Sequence, residues 1–133
     1  KAAVSPMAKR TLNSDVQCIL DLRYKSPDLT STTRSAVAMR TVWLDLEKKD
    51  DLLEAPIVVI GSAPTALMAL LDLIEQGSKK PSLVIGMPVG FIGVFESKAR
   101  LLKSDISHIV LESSKGGASL AAATINALLK AAV

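Results

Sequence analysis

One cysteine and one histidine are all that these 133 residues hold of the side chains that favour soft-metal or thiol chemistry. Cys18 has no partner for a disulfide within the sequence, which suits a reducing compartment. With His108 as the other lone ligand, no zinc site of His and Cys spacing can be assembled from this chain alone. Aromatic residues make up only 3%, which argues against base stacking as a mode of binding. No apolar run reaches the length of a membrane span. Sixteen Lys and Arg against thirteen Asp and Glu leave a net charge of +3, far from the basic stripe of a nucleic-acid binder. A secretory signal pattern is also missing, since the charged start is not followed by an apolar core and a cleavage site. The first residue is Lys1 rather than Met, so a longer natural polypeptide is expected.

What is present is apolar content of 49%, the composition of a folded chain long enough for one domain, residues 1–133, with a real core. "DVQCIL", residues 15–20, alternates, with Val16, Cys18 and Leu20 on one side, and reads as a half-exposed strand at a sheet edge. Cys18 is read there as a packing residue. The polar "KSPDLTSTT" reads as a loop, Thr32 or Thr33 as a cap, and Ala36 to Leu46 as a helix with a solvated end from Lys48 to Asp51. Ile57 to Ile60 is a short run of β-branched residues, the pattern of a strand buried on both faces. Gly61 ends it, Ser62 lies near the N-cap, and Pro64 falls in the first helical turn. Leu67, Leu70, Leu71 and Ile74 share a helical face, and Gly77 closes that helix. "SLVIG" and "HIVLE" repeat the strand pattern, "ESKARLLKS" the helix, and a last helix is expected to bury Leu120, Ile125 and Leu128. Alternation of strand and helix throughout gives an α/β class with a mainly parallel sheet.

In such sheets ligands sit beyond the carboxyl ends of the strands. "GSAPT", "GMPVGFIG" and "SSKGGAS" each follow a strand there, and Arg34 in "TTRSA" starts a further helix. Helix amino ends and glycine-rich backbone suit carboxylates or phosphates. None of the loops matches a P-loop or a dinucleotide fingerprint. His108 begins a strand and reads as a residue satisfied locally, and Glu96 as a carboxylate favourable at a helix start. The residues alone thus indicate an α/β domain for a small anion, with its chemistry unspecified.

"TTRSAVAM", "VIGSAPTALMALLDLIEQG", "PSLVIGMPVGFIGVFESK" and "SSKGGASLAAATINAL", in this order, resemble the precorrin-8X methylmutase (precorrin isomerase) family of cobalamin biosynthesis. "AKRTLNSDVQCILD" does so more weakly, and the match spans roughly the C-terminal two-thirds of a family member. The resemblance implies a three-layer α/β/α flavodoxin-like fold with strand order 2-1-3-4-5, its first strand lying outside this chain. It further implies a cytoplasmic homodimer and an isomerase that shifts a methyl group between neighbouring carbons of a corrin precursor, giving hydrogenobyrinate. The tetrapyrrole substrate would be precorrin-8X or cobalt-precorrin-8, with no metal or organic cofactor and no nucleic-acid or membrane partner. Thr33, Arg34, Ser35, Met87, Pro88, Val89, Gly90 and Phe91 are the expected substrate-binding residues, with Met87, Val89 and Phe91 against the macrocycle. The family's histidine motif of the R-x-x-H-A type is not among these residues, so the catalytic residue is unknown and residues 1–133 alone are expected not to turn over. Ser62 stands where the family has Asn, and Val94 and Phe95 where it has small residues. A non-catalytic corrinoid-binding relative and a generic nucleotide-binding domain are the alternatives.

Overall fold

The computed structural model describes residues 4 and 8 and residues 31–48, 56–89, 93–111 and 115–131, with side chains from Arg34 onward in the first helix. The edge strand expected at residues 15–20, with Cys18, lies outside them, as do Gly90 and Phe91. Helix α1 spans Ser31–Lys48. Then follow β1 (Ile57–Ile60), α2 (Pro64–Glu75), β2 (Leu83–Gly86), α3 (Val94–Lys103), β3 (His108–Val110) and α4 (Ala118–Ala131). The three strands form one parallel sheet in the order β1-β2-β3, with Ile57 opposite Leu83 and Val84 opposite His108. Three parallel strands in consecutive order fit the 3-4-5 part of the order that the family resemblance implies.

Two apolar clusters set the layers. On one face of the sheet, Ile60 and Val84 meet Leu67, Leu70 and Leu71 of α2, Met39 and Trp43 of α1, and Leu101 of α3. On the other, Ile85 and Met87 meet Ala121, Ile125 and Leu129 of α4, together with Val4 and Ala8. The sheet is therefore the middle of three layers. Leu67 and Leu70 are fully buried, each a contribution on the order of 1.5–3 kcal/mol from apolar burial. Helix α2 buries more than the stripe its leucines predict, adding Ala66, Ala69 and Leu73, because the sheet lies under it and α1 packs beside it. Pro64 takes the first helical position, where a missing N–H costs little. Gly77, at φ 103°, ends the helix in a conformation that a side chain would resist. The N-cap is Ala63, one residue after the exposed Ser62.

Three expectations are corrected. Strand β1 is not buried on both faces: Ile57 and Val59 are each 40% exposed. Among the described residues β1 pairs with β2 alone, and neither Ile57 nor Val59 joins the apolar cluster under α4. Thr32 and Thr33 lie inside α1, which starts at Ser31, so neither caps it. Helix α4 buries Ala121, Ile125 and Leu129, whereas Leu120 and Leu128 are 40% exposed. The small Ala121 lets the helix approach the sheet, and that approach turns the two leucines outward.

Candidate functional site

The carboxyl ends of the strands, at Ile60, Gly86 and Val110, point to the same rim. The loops that leave them are knitted together by backbone. Met87 N–H donates to the Ile60 carbonyl at 2.8 Å, and Gly117 N–H donates to the Met87 carbonyl at 2.9 Å. Close approach explains two of the glycines. A Cβ on Gly61 would lie 2.5 Å from Ala118 Cα, and one on Gly116 would collide with the Met87 carbonyl oxygen. Gly93, at φ 80°, is the N-cap of α3 and stands against Pro64 at the start of α2. The amino ends of α2, α3 and α4 therefore meet along one edge.

The electrostatics of that edge suit an anion. The N-caps Ala63 and Gly93 offer no capping side chain to the first-turn amides. Helices usually place Asp or Glu in the first turn, against the positive end of the dipole. Here α1, α2 and α4 have none, and only α3 does, with the exposed Glu96. Helix α1 runs with the others. Near its carboxyl end, Trp43 Nε1 donates to the Lys79 carbonyl at 3.0 Å, and Glu47 accepts from Lys79 N–H, both just before β2. Arg40, midway, lies 3.7 Å from Asp72 of α2. The first turn of α1, with Thr33, Arg34 and Ser35, is thus directed toward the rim end, and Arg34 is exposed there.

The residues expected at the site divide. Arg34 is exposed, and Ser35 and Val89 are half-buried. Met87 and Pro88 are buried, and the Met87 side chain belongs to the cluster under α4, with Thr124 Oγ1 3.7 Å from its sulfur. Met87 therefore offers the rim its backbone, and its side chain pins the loop to the core. Phe95, which stands where a small residue was expected, is 67% exposed, so its bulk costs no packing, while Val94 is buried. His108 lies at the amino end of β3, at the opposite edge of the sheet. Its Nδ1 is 2.7 Å from the Ile106 carbonyl, which can only accept, so Nδ1 carries the proton. Among the described residues no three His, Cys, Asp or Glu side chains are grouped to hold a metal. Nor is any described helix long and apolar enough to cross a membrane.

Sequence reasoning passed over Lys98. It is 3% exposed, on the α3 face formed by Val94, Ser97 and Leu101, and its Nζ donates to the Lys115 carbonyl at 2.8 Å. Burial pulls its pKa below the ordinary lysine value. The signal was in the sequence: positions 94, 97, 98 and 101 fall at i, i+3, i+4 and i+7, so the helix's own period puts Lys98 inside.

Comparison with known proteins agrees with this architecture. A family model described as precorrin-8X methylmutase matches residues 1–131. The precorrin-8X methylmutase of Pseudomonas aeruginosa is 44% identical over 98 residues, which cover 72% of this chain and 44% of the relative. The cobalt-precorrin-8 methylmutase of a Synechocystis strain is 37% identical over 129 residues, covering 97% of this chain and 55% of the relative. A crystal structure of precorrin-8X methylmutase from Thermus thermophilus superposes with a TM-score of 0.74 at 35% identity, over 98% of this chain and 61% of that one. The chain thus spans about half the length of the curated relatives it matches.

Proposed function

The chain belongs to the precorrin-8X methylmutase family, and on that premise we propose that its protein isomerises a corrin precursor by shifting one methyl group between neighbouring ring carbons. The observation that carries this reading is the family match over residues 1–131, joined to a rim whose helix amino ends lack capping side chains. The substrate would be precorrin-8X or its cobalt-containing analogue, and relatives named for each are similar to this chain. The reaction is an isomerisation: one carbon–carbon bond breaks, another forms beside it, and no atom is gained or lost.

Corrin precursors carry many acetate and propionate carboxylates. First-turn amides of α2, α3 and α4 would donate to some of them, and Arg34 would hold another by a charge-assisted hydrogen bond. Thr33, Ser35 and the backbone of residues 87–91 complete the proposed contact set. Gly61 and Gly116, by packing against Ala118 and Met87, draw these loops together beneath the place where a large flat anion would lie. Protonation of the conjugated ring would promote the shift as charge redistributes, which calls for an acid with a pKa near the working pH. His108 is at the wrong edge of the sheet for that role. The same reading takes the protein as a cytoplasmic homodimer, which light scattering and cell fractionation would test.

Absorption titration with hydrogenobyrinate, followed by a conversion assay on precorrin-8X and on cobalt-precorrin-8, tests the proposal. Saturable binding and conversion of either substrate are expected of the full-length protein. Binding of a nucleotide in place of the corrinoid would overturn it.

A further inference from the structure

Helix α3 buries four residues on one face, and two of them are polar. Ser97 is satisfied within its own helix, donating from Oγ to the Val94 carbonyl at 3.0 Å. Lys98 reaches outside the helix, to a carbonyl seventeen residues further on. A methionine would fill this place with no charge to desolvate, and lysines are seldom fully buried without a compensating partner. The partner is informative. The Lys115 carbonyl immediately precedes Gly116, which lies on the Met87 carbonyl, and Gly117, whose N–H bonds to that same carbonyl. The 115–117 segment is therefore held from two sides, by α3 and by the loop after β2. It leads without a break into the amino end of α4 at Ala118.

We propose that Lys98 is a positioning residue of the anion rim: its ammonium docks the 115–117 loop onto α3 through the Lys115 carbonyl, and so fixes the α4 amino end beside residues 87–89. The ammonium also places a positive charge beneath the rim, in a medium that screens it less than water does. A polyanion bound above would feel both effects. The ligand half of this inference rests on the corrinoid reading above; the loop half does not.

The test uses the full-length protein and Lys98→Met, which keeps the stem and removes the charge and the donor, with Lys98→Arg as the conservative variant. Hydrogen exchange of residues 115–118 is read without ligand, and the Kd for hydrogenobyrinate by absorption titration. In Lys98→Met, exchange at 115–118 is expected to speed up while α2 amides keep their protection. The Kd is expected to rise about tenfold, the scale of one lost hydrogen bond to a charged group. Lys98→Arg should restore both. Unchanged loop exchange overturns the proposal, and so does faster exchange with an unchanged Kd. Loss of the fold in Lys98→Met is met by repeating both readouts on Lys98→Gln, and loss of the fold in both makes Lys98 a residue of the fold and overturns the proposal. If the unmodified protein does not bind the corrinoid, the function reading fails, and loop exchange still decides whether Lys98 holds the segment.

Discussion

Arg34→Ala is expected to weaken corrinoid binding about tenfold, because it removes a charge-assisted carboxylate partner. Thermal stability should change little, since Arg34 is exposed. Titration and melting curves on the same variant separate the two effects. His108→Ala should leave turnover within a few-fold, on the order expected when no proton-transfer group is lost. A large loss of turnover with binding and fold intact would make His108 the acid. Gly116→Ala should destabilise by roughly 1–3 kcal/mol, since its φ of 154° and the neighbouring Met87 carbonyl leave no room for a Cβ. Urea denaturation measures this. At this scale the sequence placed glycines in the loops after the strands, and the structure shows Gly61 and Gly116 packed against Ala118 and Met87 of the neighbouring segments. The sequence did not show that Met87 and Pro88 turn inward, because the direction of a loop side chain is set by the cluster beneath it.

Among the elements, α4 gives the sharpest comparison. Ile125→Ala should cost about 2–5 kcal/mol, as a large-to-small change in a packed layer. Leu128→Ala should cost clearly less, roughly 1 kcal/mol or below, because the side chain is 40% exposed. Similar losses for both, in denaturant melts, would mean that Leu128 is covered in the natural assembly. The helix itself was legible, since alanine, leucine and the amino-terminal glycines specify it locally. Its inward face was not. With alanine at six of the helix's fourteen positions, the apolar pattern fits neighbouring faces almost equally well, and the sheet makes the choice.

For the whole molecule, a surface ion pair between the segments that lead into β2 and β3 gives a pH dependence with a definite sign. Lys80 hydrogen-bonds Asp105 and holds its carboxyl below the ordinary value of 3.8. The folded state therefore binds that proton less readily than the unfolded state. The contribution is complete above pH 3.8 and is lost as pH falls through the depressed folded value. The melting temperatures of the protein and of Asp105→Asn should accordingly differ slightly at neutral pH and converge in acid. The difference should be small, and smaller in high salt, because both partners are exposed. Arg100 bridges Asp72 at 2.9 Å and Glu75 at 3.0 Å. It is partly desolvated, yet those carboxylates raise its pKa above the ordinary value, so it stays charged throughout and ties α3 to α2.

The alternation of strands and helices from β1 onward and the Gly- and Pro-containing loops after the strands were legible in the sequence alone, the exact ends of the elements less so. These follow from local physics: β-branched runs extend, leucine at helical spacing coils, and glycine and proline punctuate. The ordered motifs that mark the family are local in the same sense. Tertiary structure decided what depends on distant neighbours. It left Ile57 and Val59 of β1 partly exposed, turned α4 onto Ala121 and Leu129, and carried Met87 into the core. It also brought Lys98 to a carbonyl seventeen residues away. The period of α3 put that lysine inward, and the packed loop supplied an acceptor for the buried ammonium, the Lys115 carbonyl.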